Sequence, residues 1–246
     1  MEDTAQIESL AGVNVNEEPA TEEQKPINAK HTRFSELMWY DPDHDIIVGG
    51  VGGIGSWLAM LLGRAGYRLY LFDDDTIDET NMAGQLYPVS SIGENKAMAI
   101  QQAIWNYSHN SDVTSLGRYE KESEACPIMF SCFDNMSARK LLFENWAAQE
   151  DRSIFIDGRM LAESFQVFAV VKGKEEEYRA TLFEDGDVQE QPCSAKATSH
   201  TAAIIGGVMM SILTNHMSNV KLNMDIREVP FKTTFEIPLL MFNVEL

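Results

Sequence analysis

The chain has 246 residues, 44% of them hydrophobic, with 38 acidic side chains against 19 basic ones and a formal charge of −19. That length can bury a sizeable core in one large domain or at most two, and the charge excludes a general attraction to nucleic acid or anionic lipid. Three cysteines, Cys126, Cys132 and Cys193, with no CxxC pair, exclude a disulfide framework and a structural zinc site.

Residues 1–24 carry seven acids, no Lys or Arg, and apolar residues without period. This is the composition of a solvated tail, expected over 1–30, with a single domain over 31–246. No basic segment followed by an apolar run opens the chain, and the most apolar stretch, Ala202 to Leu213, is too short to span a bilayer. The expectation is a cytoplasmic protein with no membrane partner, in which that stretch is a buried helix.

From Asp45, "DIIVGG" reads as a strand, "GSWLAMLLGRAGY" as a helix closed by Gly66, and "RLYLFDDD" as a second strand, which together make a βαβ unit. "GENKAMAIQQAIWNY" then places Ala97, Ile100, Ile104 and Tyr107 on one helical face. "CPIMFSCF" reads as a buried strand, "NMSARKLLFENWA" as a helix and "SIFIDG" as a strand. Beyond Gly158, "SFQVFAVV", "EYRATLF" and the C-terminal "VPFKTTFEIPLLMFNVEL" are β-rich, interrupted by a helix from about Ala197 to Asn215. The fold class is therefore α/β: a Rossmann-like, mostly parallel sheet with helices on both faces, extended by antiparallel strands in the C-terminal half. Residues 31–160 would form the nucleotide half and 161–246 a β-rich partner-binding half.

"IIVGGVGGIGSW" holds Gly50, Gly52 and Gly55 in a GxGxxG frame, with Gly53 doubling the centre and Ser56 opening the helix. Such a turn lets the backbone approach a phosphate, and the helix N-terminus supplies N–H donors and a partial positive charge. Asp73 follows Gly55 by 18 residues, at the end of the second strand, where the ribose of a nucleotide would lie. On these features alone, an NAD-dependent Rossmann oxidoreductase fits as well as an ATP-using enzyme.

Further features come in order: Asp73 and Asp75, Asn81 with Gln85, "SIGENK" ending in Lys96, and "CFDN" with Asp134 and Asn135. With the glycine loop they resemble the ThiF/MoeB and ubiquitin-activating enzyme family of ATP-dependent adenylyltransferases, from about Arg33 to the helix after Cys193. The resemblance implies a homodimer that uses ATP and magnesium to activate the C-terminal carboxylate of a small β-grasp, ubiquitin-like protein. It also implies that Asp73 binds the ribose, that Asn81 and Lys96 contact the phosphates and that Asp134 helps hold magnesium. Capping the next helix is the alternative role for Asp134.

Two positions depart from the family pattern. Gly84 in "NMAGQ" stands where the family has arginine, and "RFSE" keeps Arg33 but presents Glu36 where a second arginine would act on the partner subunit's ATP. A nucleotide-binding module with weak or no catalysis is therefore a competing expectation. Arg159, after a strand end and a glycine, is the candidate replacement cation, and Arg139 is set aside as lying on an exposed helical face. Cys193 precedes a helix, where thiolate character can rise, and family members sometimes form a thioester or persulfide nearby. Cys126 and Cys132 read as core residues, and His44 and His200 as structural.

Overall fold

The computed structural model describes residues 29–161, 163–184 and 198–246. In chain order the elements are β1 (Asp45–Gly49), α1 (Gly53–Ala65), β2 (Arg68–Phe72), α2 (Lys96–Ser108), β3 (Val113–Leu116), β4 (Ile128–Ser131), α3 (Met136–Ala147), β5 (Ile154–Leu161), β6 (Ser164–Val171), α4 (Glu175–Arg179), α5 (Ser199–Leu222), β7 (Lys232–Glu236) and β8 (Met241–Glu245). The strands form one eight-stranded sheet in the order β3-β2-β1-β4-β5-β6-β7-β8. Pairing is parallel from β3 through β5 and antiparallel from β5 through β8. The order in which strands are added reverses between the parallel neighbours β1 and β4, so the connections after those two strands lead to opposite sides and leave a crevice, the usual ligand position in an open α/β sheet.

Alternation along the strands sends successive side chains to opposite faces. Ile46, Val48, Leu69, Leu71 and Ile156 pack with Leu58, Ile100 and Met209 under α1, α2 and α5. Ile47, Met129, Phe155 and Val170 pack with Phe143, Trp146 and Tyr178 under α3 and α4. On this second face the Phe143 ring centroid lies 4.5 Å from Tyr178 and 5.3 Å from Phe155. Trp146 is fully buried and satisfies its indole N–H on the Pro127 carbonyl at 3.0 Å. Truncating a fully buried aromatic of this kind costs about 3–5 kcal/mol.

Five local expectations differ from the structure. "EYRATLF" is the end of helix α4 and the turn after it, not a strand: three glutamates in the first turn suit the positive helix end, and Tyr178 anchors the short helix in the core. Helix α5 continues to Leu222, past the expected end at Asn215. Strand β3 was not among the expected elements; it is an edge strand of four residues with one buried side chain, so it carries almost no apolar signal. Tyr107 is 69% exposed rather than on the buried face of α2 with Ala97, Ile100 and Ile104. Arg139, expected on an exposed face, is 6% exposed, because Met136, Arg139, Phe143 and Trp146 share the buried side of α3. No described helix is long and apolar enough to cross a membrane.

Candidate functional site

The crevice between β1 and β4 is built around the glycine turn. Gly50 has φ +81°, and a Cβ on Gly55 would lie 1.9 Å from the Gly50 carbonyl oxygen, so neither position tolerates a side chain without moving backbone. Helix α1 begins at Gly53 with Gly52 as its cap and no side-chain hydrogen bond to its first amides. Those amides face the crevice with only the helix's own polarity behind them.

Asp73 closes the turn from the neighbouring strand. Its Oδ2 accepts the Val51 N–H at 2.8 Å and its Oδ1 accepts the Asp75 N–H at 2.9 Å. Burial pushes its carboxyl above the usual range, against the pull of those two amides and of the Lys96 ammonium. The carboxylate thus stiffens the glycine turn while each oxygen keeps a lone pair for a hydroxyl donor. Tyr87 adds a second brace, its hydroxyl donating to the Val51 carbonyl.

Asn81 and Gln85 lie on the loop between β2 and α2. Asn81 Oδ1 accepts the Asp78 N–H at 3.1 Å, which completes a capping box and turns the asparagine's amide nitrogen away from its own backbone. Gln85 Nε2 would lie 3.9 Å from a Cβ on Gly52, and Gln85 Oε1 is buried with no hydrogen-bond partner among the described residues. The loop is held over the glycine turn by Trp57 Nε1, which donates to Gly84 O at 3.2 Å, and by the Leu86 N–H, which donates to Ser56 Oγ at 3.0 Å. Gly84 is buried. The residue standing where the family pattern has arginine is therefore packed against the floor of the site.

Lys96 is the first residue of α2, capped by Asn95, and is 8% exposed rather than a solvated helix lysine. Its Nζ lies 2.8 Å from Asp75 Oδ2. Asp74 faces outward and pairs with Arg118 at 2.9 Å. On the β4 side, Asn135 caps α3 by accepting the Ala138 N–H at 2.8 Å. The capping role open to Asp134 thus falls to its neighbour, and Asp134 is left exposed just outside the helix.

The structure places Gly50 to Ser56, Asp73, Asp75, Asn81, Gln85, Lys96, Asp134 and Asn135 around the C-terminal ends of β1, β2 and β4. It does not give Arg159 the expected role of a free cation. Arg159 Nε donates to Asp157 Oδ2 at 2.7 Å, its two terminal nitrogens donate to Thr181 O and Thr181 Oγ1 at 3.0 Å each, and its guanidinium carbon stacks 4.3 Å from the Phe168 ring centre. Cys193 lies outside the described residues. Cys126 and Cys132 are buried, as expected, and burial pushes the Cys126 thiol up to about 12. His44 pairs with Asp41 at the surface. Among the described residues no group of three or more metal-ligating side chains is assembled.

A family model described as the ThiF family matches residues 43–237. The chain belongs to the ThiF family. Among curated relatives, it is 34% identical over 113 residues to "Ubiquitin-like modifier-activating enzyme 5" of Dictyostelium discoideum, covering 38% of this chain and 30% of the relative. The match to the Gallus gallus protein of the same name is 22% identical over 202 residues, covering 71% of this chain and half of the relative. The chain thus spans between about a third and a half of these relatives' length. Among solved structures, Escherichia coli MccB with ATP superposes with a TM-score of 0.65 at 12% identity, over 89% of this chain and 71% of that one. PaaA superposes with a TM-score of 0.62 at 17% identity, over 85% of this chain and 74% of that one. These likenesses carry the Rossmann-like fold that the ThiF family uses.

Proposed function

We propose that this ThiF-family chain is an ATP-dependent adenylyltransferase that activates the C-terminal carboxylate of a small β-grasp, ubiquitin-like protein. One observation carries the reading most: the uncapped start of α1, Asp73, Gln85, Lys96 and Asp134 lie on five separate segments that follow the C-terminal ends of β1, β2 and β4, around the point where the strand order reverses. In the reaction, a carboxylate oxygen of the partner attacks the α-phosphorus of ATP. The bond to the bridging oxygen of the β-phosphate breaks, and pyrophosphate leaves with that electron pair. Such a transfer is accelerated mainly by positioning and by offsetting phosphate charge.

In this reading Asp73 accepts from the ribose hydroxyls and fixes the nucleoside end. The α1 amides, with Asn81 and Gln85, orient the phosphates, and Lys96 moves from Asp75 to a phosphate oxygen. Asp134, together with ATP, would hold a magnesium ion; Mg²⁺ needs one or two carboxylates besides the phosphates, so an exposed Asp134 fits without a preformed cluster. The ion, when bound, offsets phosphate charge. The ubiquitin-like class of substrate is supported by the names of the curated relatives, and a basic surface on the substrate would suit a chain of charge −19. Homodimer formation, a cytoplasmic location, substrate docking on residues 161–246 and a covalent role for Cys193 are further parts of this proposal.

The packing of Gly84 against Trp57 favours a second reading, a nucleotide-binding module with little turnover, because no described arginine is presented to the phosphates from that loop. ATP/pyrophosphate exchange with purified β-grasp proteins ending in Gly-Gly separates the two. Exchange that is lost in Asp134→Ala supports the adenylyltransferase; ATP binding with no exchange supports the module. NADH binding without ATP binding would overturn both in favour of the oxidoreductase.

A further inference from the structure

The least expected feature of the chain is a buried chain of charges under the β4 side of the crevice. Asp157, in β5, is completely buried and carries two guanidiniums: Arg139 on Oδ1 and Arg159 on Oδ2. Arg139 also donates from Nη1 to Gly158 O at 3.0 Å, and from Nη2 to the carbonyl oxygen of Phe133. Phe133 is the residue before Asp134. Two arginines on one buried carboxylate cost more desolvation than apolar residues in the same volume would, so their presence calls for a role beyond stability.

We infer that Arg139 is a positioning residue for Asp134: by holding the Phe133 carbonyl from a seat on Asp157, it fixes the peptide that aims the Asp134 carboxylate into the crevice. The inference rests on the adenylyltransferase reading, in which Asp134 holds the metal with ATP. Three restraints meet at this one segment. The Phe133 carbonyl is gripped by Arg139. The Phe133 ring is pressed on the glycine turn, where a Cβ added to Gly49 would lie 2.5 Å from it. Asn135, on the other side of Asp134, is tied into the first turn of α3. Asp134 itself is exposed, so its direction is set by its neighbours and not by burial of its own side chain. The grip needs a fork: one guanidinium must reach a carboxylate and two carbonyls from one plane, which an ammonium cannot do.

The chain of contacts continues in the other direction. Arg159 connects the second oxygen of Asp157 to Thr181, near the end of the described segment that follows α4. Asp157 therefore sets one reference point for both the Asp134 segment and the Thr181 turn. A shift of Asp157 would be felt at both.

The test uses the full chain and ATP as ligand. ATP and AMP affinities are measured by calorimetry with and without Mg²⁺ for the wild type, Arg139→Lys, Asp134→Asn and the double variant, and amide hydrogen exchange is followed over residues 131–138. The lysine keeps the buried charge and loses the fork. The expected result is a loss in Arg139→Lys of about 10- to 100-fold in the Mg²⁺-dependent part of ATP affinity, the range for partners that orient a metal ligand. AMP affinity should stay within about twofold, exchange should quicken at 133–136 and not across β1 or β5, and the double variant should be no weaker than Asp134→Asn. Unchanged Mg²⁺-dependent affinity in Arg139→Lys overturns the inference, as does an equal loss of AMP affinity or a global rise in exchange. A wild type whose ATP affinity ignores Mg²⁺, or an Asp134→Asn that matches the wild type, overturns the adenylyltransferase reading and this inference together.

Discussion

Lys96 Nζ sits 2.8 Å from Asp75 Oδ2, joining the first residue of α2 to the loop that follows β2. The pair is uneven, with the lysine nearly buried and the aspartate side chain 69% exposed. Asp75 thus holds the ammonium in the crevice without locking it there. Lys96→Met should lower exchange by on the order of 10²-fold, the usual scale for one preorganised donor at a developing charge. Asp75→Asn should keep most of the activity, since it removes the holder and leaves the cation. Initial rates of ATP/pyrophosphate exchange for both variants check this; equal losses would show that the pair acts as a unit.

Gly55→Ala is a test of the turn itself. The new methyl would overlap the Gly50 carbonyl, whose peptide cannot shift without straining the hydrogen bond from Val51 N–H to Asp73 Oδ2 at 2.8 Å. A stability loss of about 3 kcal/mol is expected, at the upper end for overpacking, together with loss of nucleotide affinity. Urea denaturation followed by far-UV dichroism gives the first number.

Removing the shared carboxylate should be more damaging than removing any surface pair. In Asp157→Ala, two guanidiniums remain in a site where Asp157 was fully buried, and a loss of about 3–5 kcal/mol is expected. By contrast, Asp74→Ala breaks only the exposed contact to Arg118 and should change stability by less than about 1 kcal/mol. Denaturant midpoints for the two variants, side by side, provide the comparison.

Acid should weaken the packing of α5 on β5. His216 Nε2 lies 2.7 Å from Ser153 Oγ, and burial holds its pKa down to about 4 from 6.5, with Asp225 pulling the other way. The native state binds fewer protons here than the unfolded state, so stability is full above pH 6.5 and falls as pH drops toward 4. The loss from this residue reaches about 3 kcal/mol. His216→Gln should flatten that part of the stability profile, measured as urea midpoints between pH 7 and pH 4.

Thiol labelling should separate the cysteines. Cys126 and Cys132 are buried, with thiol pKa values raised by burial. Neither should react with iodoacetamide at pH 7.5 until the chain is unfolded, which peptide mapping by mass spectrometry would show.

The βαβ unit around the glycine turn was legible because its physics is local. The glycine turn, the apolar strand before it, the helix after it and Asp73 lie within 30 residues, and each obeys a short-range rule of period or backbone shape. What escaped depends on contacts between distant segments. Arg139 has a charged side chain in a helix, and only its spacing from Met136 and Phe143 hinted at burial; the carboxylate that receives it is 18 residues away. Arg159 pointed to the crevice when its strand was considered alone, but Thr181 and Phe168 hold it on the α4 side. Strand β3 is short and half polar, and it is defined by pairing with β2 rather than by its own residues.

Trp57, described above only as a brace for the loop, also makes that loop visible in solution. Of Trp39, Trp57, Trp105 and Trp146, only Trp57 donates its indole N–H to the segment that carries Gly84 and Gln85. When a ligand tightens or lifts that segment, the polarity around one indole changes. In a chain with its other three tryptophans replaced by phenylalanine, the emission wavelength becomes an unlabelled optical gauge of the loop, readable at stopped-flow speed before any bond is made or broken.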